Sequence, residues 1–455
     1  MTSQPRALRP DYDAIIVGGG PAGAAAGALL ARRGRRVLVV ERQRFPRFHI
    51  GESLIPETNR WLEAIGVYER VAAAGFPVKR GAFLMAPDGE NQRYACFGDA
   101  EGVARPTTFE VRRDRFDEIL LDHAAACGAE VIQECRAKGV ELGDDGAALR
   151  IEDAAGGERT VAGRFLVDAS GRDGFLAKRL KLRIVDPELR QVGVHAWYEG
   201  VEPPPPERSG DIRVVAIDGA GWAWLIPLGG GVTSVGAVVS KERHATLPAA
   251  DPERCLELLL GSAPALPPLL AGARRVSPVR VEGDYSYATR SYHGERWLLA
   301  GDAGSFLDPI FSTGVLLALE SGVQAAEAVD GALAAGEEPR ATRRLLAAYD
   351  REQRRKYRFF RRFVLGYYRP EFRDLLVTPE APFGLAAALV TAFAGVTRPS
   401  RLTRLRLAAF FAFVRLQRHL PIAPRLHGPE AETRRAAAGA AAERSAAGAG
   451  AAPVS

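Results

Sequence analysis

The sequence predicts an α/β fold whose first unit is a Rossmann-type strand, turn and helix. Residues 13–17 form an apolar, β-branched run, residues 18–23 read Gly-Gly-Gly-Pro-Ala-Gly, and an alanine- and leucine-rich stretch over residues 22–33 ends at Gly34. A G-x-G-x-x-G turn between a buried strand and a helix places backbone N–H groups against a dinucleotide pyrophosphate. The first unit is therefore a predicted dinucleotide site.

The turn and the strand after it supply the first candidate binding residues. A second apolar strand over residues 36–40 delivers Glu41 about twenty residues beyond the turn, where an acidic side chain accepts hydrogen bonds from a ribose. The alternative is a purely structural glycine turn. We assign the following residues to the dinucleotide: Gly18, Gly20, Ala22, Gly23, Glu41 and Arg42.

Three later segments favour a flavin dinucleotide. Residues 111–117 open an amphipathic helix with basic residues at its start, and residues 167–172 end an apolar strand in Asp-Ala-Ser-Gly-Arg. Residues 297–303 end another apolar strand in Ala-Gly-Asp-Ala. Asp302 would accept a ribitol hydroxyl, and the next helix would aim its N-terminus at the flavin ring. No segment supplies a second nucleotide loop.

These four segments, in this order, resemble the single-component FAD fold of aromatic hydroxylases and flavin-dependent halogenases, which is glutathione-reductase-like. The resemblance covers residues 11–335 and implies FAD as the cofactor, with residues 168–171 supporting a strand turn. The alternatives are a surface arginine at Arg113 and a helix-capping aspartate at Asp302. The resemblance implies further FAD contacts at Ser53, Arg113, Gly301 and Asp302.

Four local features are similar to halogenases that act on phenols and on carrier-protein-bound pyrroles. Residues 222–227 match the W-x-W-x-I-P signature of these enzymes. Residues 45–56 resemble the segment after their second strand, residues 75–81 the segment with their active-site lysine, and residues 308–314 the stretch beside their flavin. By this resemblance the chain is identified as a member of the flavin-dependent halogenase family.

The resemblance gives Lys79 the catalytic role. Reduced FAD, oxygen and chloride or bromide would generate hypohalous acid, which the lysine amine would bind as an N-haloamine or through a hydrogen bond. A desolvated lysine with a lowered pKa would suit the first route. The alternative is an ordinary surface lysine, and the neighbouring Arg80 fits that interpretation.

The signature hexapeptide is predicted to form a pocket wall. Trp222 and Trp224, with Ile226 and Pro227, would keep the organic substrate away from the flavin. The alternative for the two tryptophans is core packing on one face of a strand. Both interpretations place the rings on the same side of the sheet.

The halide is predicted to bind at a helix N-terminus. Backbone N–H groups of Thr313 and Gly314 precede a helix at Val315, and helix N-termini attract anions. The alternative is a plain helix cap. The sequence assigns no role to His49 or Glu52, although both lie close to the implied cofactor.

The chain has 455 residues, enough for several units. We predict a discontinuous FAD-binding domain, a β-sheet substrate domain, a C-terminal helical extension and a disordered tail. Their ranges are 11–79, 106–184 and 284–335 for the FAD-binding domain, 80–105 and 185–283 for the substrate domain, 336–428 for the extension and 429–455 for the tail.

The composition is typical of a globular enzyme, with 47% hydrophobic and 25% charged residues. The four cysteines form no C-x-x-C pair, so we expect reduced thiols, no metal site and a cytoplasmic protein. We expect no signal peptide, because residues 1–10 lead directly into the first strand. The apolar residues 383–396 are too few for a transmembrane segment.

Basic residues dominate the C-terminal part of a chain with net charge +6. Residues 340–373 are interpreted as a solvated amphipathic helix over the substrate pocket, or as a docking site for an acidic acyl carrier protein. Nucleic acid is not expected, because no binding motif accompanies the arginines. Residues 401–418 could make peripheral membrane contact, although a helical subdomain covering the substrate is more economical.

The sequence thus predicts a halogenase of secondary metabolism that receives reduced FAD from a separate flavin reductase. The substrate would be a phenol, a pyrrole or a carrier-bound aromatic group. One alternative is an FAD-dependent monooxygenase or a geranylgeranyl-reductase-like oxidoreductase on the same fold. Another is a catalytically idle flavoprotein that acts as a partner in a biosynthetic complex. Dependence on halide separates these functions.

Overall fold

The computed structural model describes residues 11–217, 221–283, 286–378, 382–428 and 433. Within them the chain has the predicted α/β fold, with two large sheets. The strands are β1 (Tyr12–Val17), β2 (Val37–Val40), β3 (Val78–Lys79), β4 (Gly81–Met85), β5 (Gln92–Cys96), β6 (Thr108–Phe109), β7 (Glu130–Ile132), β8 (Arg136–Gly143), β9 (Gly146–Glu152), β10 (Glu158–Asp168), β11 (Arg183–Val185), β12 (Gln191–Glu199), β13 (Ile212–Ile217), β14 (Gly221–Gly229), β15 (Val232–Ser240), β16 (Arg274–Arg275), β17 (Arg280–Gly283), β18 (Tyr287–Thr289) and β19 (Trp297–Leu299). The helices are α1 (Pro21–Arg32), α2 (Glu57–Ile65), α3 (Tyr68–Ala72), α4 (Arg113–Ala126), α5 (Phe175–Arg179), α6 (Lys241–Ala245), α7 (Pro252–Leu260), α8 (Leu266–Leu270), α9 (Gly314–Ala334), α10 (Pro339–Tyr367), α11 (Pro370–Val377), α12 (Leu385–Phe393) and α13 (Arg401–Gln417).

The first sheet has the order β7-β2-β1-β10-β9-β8, and β19 pairs with the end of β10. Strands β7, β2, β1, β10 and β19 run parallel. The apolar residues of β1, β2 and β19 are buried, as expected for strands covered on both faces. Because parallel strands end at the same edge, the glycine turn meets the turns after β10 and β19 there.

The second sheet has the order β16-β12-β15-β14-β13-β4-β5, with β17 beside β12. Its pairs are antiparallel except β4 with β13. Side chains alternate along β14, so Trp222, Trp224 and Ile226 pack into one hydrophobic cluster, whereas Ala223 and Leu225 pack into another beside α7. The predicted tryptophan face is therefore present.

The C-terminal helices close over the tryptophan face. Phe360, Phe363 and Tyr367 of α10 share a hydrophobic cluster with Trp222 and with Phe311 of the loop before α9. The amphipathic helix predicted over residues 340–373 is divided into α10 and α11, and Pro370 opens the second helix. The buried face of α10 thus packs in the hydrophobic cluster that the second sheet shares with the C-terminal helices.

The domain ranges given above stay a prediction. The strands of the first sheet fall within the ranges assigned to the FAD-binding domain, and those of the second sheet within the substrate ranges. The predicted disordered tail lies outside the described residues apart from Thr433. The four cysteines are free thiols, and among the described residues no helix is long and apolar enough to cross a bilayer.

Candidate active site

A cavity of about 800 Å³ opens where the carboxyl ends of the first sheet face the tryptophans of β14. Its volume is typical of a cofactor or ligand site. Most of the predicted site residues line it: Gly18, Gly20, Ala22, Glu41, Arg42, Ser53, Arg113, Trp222, Trp224, Ile226, Gly301, Asp302 and Gly314. Four others, Gly23, Lys79, Pro227 and Thr313, do not form its wall.

The backbone of the glycine turn packs so closely that two positions admit only glycine. Gly18 has φ +105°, and an added Cβ would lie 2.3 Å from the Ala169 carbonyl oxygen. At Gly23 the Cβ would lie 1.9 Å from the Gly18 oxygen. At Gly20 it would meet only Arg47 Nη2, at 3.6 Å. The start of α1 therefore stays open to the cavity, as a pyrophosphate site requires.

Two carboxylates and an arginine border this end of the cavity. Glu41 accepts hydrogen bonds from the N–H groups of Gly19 at 2.7 Å and Gln43 at 2.8 Å, so it also fixes the turn. Burial raises the pKa of Asp302 to about 6, and the carboxylate lines the cavity where a ribitol hydroxyl would satisfy it. Arg113 is held by an ion pair with an aspartate of α4. This cradle fits FAD, and the individual contacts stay predictions.

Lys79 is buried beside the cavity. Its amine donates hydrogen bonds to Ser53 Oγ at 2.6 Å and to the Leu54 carbonyl at 2.9 Å, and lies 3.7 Å from Glu110 Oε1. Burial lowers the pKa of Lys79 and raises that of Glu110 to about 8. The alternative of an ordinary surface lysine is therefore wrong. Ser53 lines the cavity, so the amine lies one hydrogen bond behind the wall.

The two tryptophans of β14 are both core residues and cavity wall. Their ring centroids are 5.6 Å apart, and both rings are buried. Trp224 Nε1 donates to Ser234 Oγ at 3.1 Å, and Ser234 Oγ donates to Glu52 Oε2 at 3.2 Å. Trp197 Nε1 donates to the other oxygen of Glu52 at 3.0 Å. Glu52, for which no role was predicted, thus fixes the wall.

A second buried chain fixes Trp222. Its Nε1 donates to Tyr368 Oη at 3.1 Å, and Tyr368 donates to Asp308 Oδ2 at 2.6 Å. Asp308 also accepts from the Ile310 N–H at 3.0 Å, and burial raises its pKa to about 6. The C-terminal helices are thereby joined to the loop before α9 and to the wall.

The predicted halide site lies at the start of α9. Ser312 has φ +55°, and helix α9 begins at Gly314. The Thr313 side chain makes no capping hydrogen bond, so a side-chain cap is not formed. A Cβ added to Gly314 would meet nothing within 4 Å, and this glycine lines the cavity. The start of α9 is therefore open to the cavity at Gly314, where a helix N-terminus would attract an anion.

Glu110, Ser234 and Tyr368 were not predicted from the sequence. Glu110 stands directly before the 111–117 segment, but its pairing with Lys79 follows from the antiparallel register of β3 with β6. Ser234 is opposite Ile226 only through the register of β14 with β15. Tyr368 lies in an aromatic run in which no local signal distinguishes it.

Comparison with known proteins agrees with this geometry. Residues 11–360 match the family described as FAD binding domain. The 1H-pyrrole-2-carbonyl-(peptidyl-carrier protein) chlorinase of Pseudomonas fluorescens is 36% identical over 335 residues, which are 68% of this chain and 74% of the relative. The aligned regions span 61 to 67% of the length of several further halogenases.

Solved structures show the same architecture. A flavoprotein/dehydrogenase from Cytophaga hutchinsonii has a TM-score of 0.81 and 25% identity, covering 90% of this chain and 98% of that one. The flavin-dependent brominase Bmp2 has a TM-score of 0.78 and 27% identity, covering 89% and 100%. Fold and cavity define an FAD-dependent enzyme of the monooxygenase superfamily. The chain belongs to the flavin-dependent halogenase family within it, which uses FAD and a halide.

Proposed function

We propose that this protein uses reduced FAD, oxygen and chloride or bromide to halogenate an electron-rich phenolic or pyrrolic substrate, with Lys79 carrying the halogen. The observation that supports this most strongly is the buried Lys79 amine, one hydrogen bond behind the cavity wall at Ser53. Bound FAD would supply the activation of oxygen that turns halide into hypohalous acid.

The lysine would act as a nucleophile toward that acid. Its nitrogen would take the halogen and lose a proton, releasing water, and the substrate carbon would then take the halogen and return a proton to the nitrogen. This exchange needs an uncharged amine. Burial lowers the pKa of Lys79 and raises that of Glu110, which favours a neutral amine beside a neutral acid. The Ser53 hydroxyl, 3.1 Å from Glu110 Oε1, would relay the proton.

The remaining site residues would keep halide and organic substrate apart. Halide would bind to the N–H groups of Thr313 and Gly314, and the wall of Trp222 and Trp224 would exclude the substrate from the flavin. Exclusion matters because an aromatic ring that reached the flavin would be hydroxylated instead. Glu52 would hold the wall rigid through its two hydrogen bonds.

Chemistry and the relatives support two partners. A relative that acts on a pyrrole bound to a carrier protein supports a carrier-bound substrate. Exposed arginines of α10, such as Arg343, Arg344 and Arg358, would favour an acidic carrier. A separate flavin reductase would supply the reduced cofactor, and we place the enzyme in the cytoplasm.

The test compares Lys79→Met with Lys356→Met. Lys356 is a second buried lysine, paired with Glu320 at 3.4 Å on α9 and away from the cavity wall, so it is a matched control. Each protein is loaded with FAD, reduced without oxygen, mixed with oxygen and bromide, and passed through a desalting column. The eluted protein is then assayed with a reactive phenol for bound oxidising halogen.

We expect wild type and Lys356→Met to retain oxidising halogen and Lys79→Met to retain none, although its flavin reoxidises normally. If Lys79→Met also retains oxidising halogen, Lys79 is not the residue that carries the halogen. If bromide changes neither flavin reoxidation nor product in wild type, the halogenase proposal is wrong. A monooxygenase, or an oxidoreductase like the flavoprotein/dehydrogenase neighbour, would then be the better description.

A further inference from the structure

Helix α13 is apolar on two faces. Leu407, Phe410 and Val414 face inward and are buried in the hydrophobic cluster shared with α11 and α12. An outer row of apolar residues, here called the leucine stripe, is 42 to 67% exposed. It consists of Leu402, Leu405 and Leu416 of α13 and Leu420 and Ile422 just after it. A helix that only covered the core would not need this second face.

Four arginines flank the leucine stripe without acidic partners among the described residues. Arg401, Arg404, Arg415 and Arg418 are exposed, and none makes an ion pair or side-chain hydrogen bond with the described residues, whereas Arg406 of the same helix pairs with Glu101. No aspartate or glutamate occurs from residue 401 to residue 428. On a 100° helical wheel, residues 401, 404, 415 and 418 lie along one side of the stripe. The outer face is thus an apolar row with a basic flank.

We propose that the leucine stripe and its arginine flank bind the surface of an anionic lipid bilayer. A helix lying in the bilayer interface buries an apolar face among the acyl chains while its arginines reach the phosphate groups. Helix α13 has 17 residues, about 25 Å of helix at 1.5 Å per residue, so the contact is long and linear. The proposal does not depend on the reaction assigned above.

A protein partner fits this face less well. Protein interfaces concentrate their binding energy in tryptophan, tyrosine and arginine set around pockets, and leucine is under-represented there. Residues 401–428 contain no tryptophan or tyrosine, and α13 lines none of the three main cavities of the described chain. Exposed Phe383, at 82%, adds another apolar side chain beside the start of α12.

The test is co-sedimentation of the full-length, FAD-loaded protein with vesicles of phosphatidylcholine, with and without phosphatidylglycerol. We expect strong binding only to the anionic vesicles, weakening with salt. Arg404→Gln with Arg415→Gln should weaken binding by about 30-fold, at about 1 kcal/mol for each arginine. Leu405→Ser with Leu416→Ser should weaken it by at least about tenfold.

Matched controls carry the same changes elsewhere. Arg343→Gln with Arg344→Gln removes two exposed arginines from α10, and Leu258→Ser removes a leucine that is 39% exposed on α7. Both should bind vesicles as wild type does. Equal loss in the controls, or equal binding of wild type to neutral and anionic vesicles, would overturn the proposal.

A second measurement does not depend on loss of binding. A polarity-sensitive dye on Leu405→Cys should brighten on anionic vesicles, whereas the same dye on Ile184→Cys, a residue 48% exposed on β11, should not. If the dye on position 405 responds to an acidic carrier protein and not to vesicles, the face is a protein-docking surface and the membrane proposal is wrong.

Discussion

The two ends of the cavity are built in different ways. At the dinucleotide end the backbone makes the site: Gly18 and Gly23 permit close packing, and Glu41 bonds to main-chain N–H groups. At the proposed halogenation end, side chains from distant segments are joined by buried hydrogen bonds, such as Lys79 to Ser53 and Ser234 to Glu52. Both ends open into one cavity.

The difference teaches which changes each end can tolerate. A backbone cradle is limited by steric fit, so it tolerates loss of a polar side chain but not an added carbon atom. A buried side-chain network has the opposite sensitivity, because removing one partner leaves another group unpaired away from water. The same conservative substitution should therefore have unequal effects at the two ends.

Glu110→Gln should have the largest effect. It leaves the hydrogen bond with Ser53 in place but removes the acid that shares a proton with Lys79, so the amine must either stay charged without a counter-charge or lose its proton to solvent. Breaking such a buried pair costs about 3 to 5 kcal/mol of unfolding free energy. Urea denaturation at pH 7 measures the loss. The loss should shrink as pH rises, because burial already lowers the pKa of Lys79 and the folded protein prefers its neutral form.

Glu41→Gln is the comparison at the other end. Glu41 is also buried, and it accepts hydrogen bonds from two backbone groups, so we expect a loss of only about 1 to 2 kcal/mol. A double variant, Lys79→Met with Glu110→Gln, should recover most of the stability lost by Glu110→Gln alone. If Glu41→Gln proves the more costly change, the contrast between the ends is mistaken.

Gly23→Val tests the backbone end by adding carbon atoms. The new Cβ would lie 1.9 Å from the Gly18 carbonyl oxygen, so the turn must shift at a cost of about 3 kcal/mol, or about 100-fold in the FAD dissociation constant. Flavin fluorescence titration measures the FAD dissociation constant. Gly143→Val, whose Cβ would meet only the Gly146 oxygen at 3.9 Å on β8 away from the cavity, should bind FAD nearly as wild type does. Equal loss in both variants would show that the clash is not the cause.

The same contrast explains what the sequence could predict. Two contiguous patterns were predictable: the strand, turn and helix around Gly18, and the end of β19 before Asp302. In each, the local residue types are those that a buried strand and a tight turn require. Residues 222–227 and 308–314 were predictable as site segments because they too are contiguous. Residues of both segments line the same cavity.

The polar network could not be predicted, because it depends on register and on tertiary contacts. Glu110 meets Lys79 only because β3 pairs with β6, placing Lys79 opposite Thr108. Tyr368, just after the end of α10, lies sixty residues further along the chain than Asp308, to which it donates a hydrogen bond. Local patterns carry no information about such partners, so their roles appear only when the side chains are placed.

Asp308→Asn tests the network through pH. Burial raises the pKa of Asp308 from 3.8 to about 6, so the folded protein keeps a proton that the unfolded chain releases between these values. Its contribution to stability is therefore complete below about pH 4 and is lost as pH rises through about 6. Between pH 4 and pH 7 the variant should gain about 3 kcal/mol relative to wild type.

Unfolding curves of both proteins at several pH values measure this difference. Asparagine keeps an acceptor for the Ile310 N–H, and its NH2 group can donate to the Tyr368 hydroxyl oxygen, so the fold should persist. The matched control is Asp330→Asn, an aspartate of α9 bound to Arg33 and Arg35 at the surface. If the difference in unfolding free energy between wild type and Asp308→Asn does not change with pH, ionisation of the buried carboxyl costs no stability and the prediction is wrong.

Arg42→Gln should have the smallest effect, at the rim of the dinucleotide end. The Arg42 side chain is 50% exposed and pairs with Asp173, and an exposed ion pair is worth at most about 1 kcal/mol. FAD affinity should therefore fall by no more than about fivefold, and more weakly at high salt. Arg44→Gln removes an arginine that is 78% exposed and does not line the cavity, so it controls for net charge. Arg42→Gln could instead lose as much FAD affinity as Gly23→Val while Arg44→Gln loses none. A side chain rather than the backbone would then hold the dinucleotide, and the difference between the two ends would disappear.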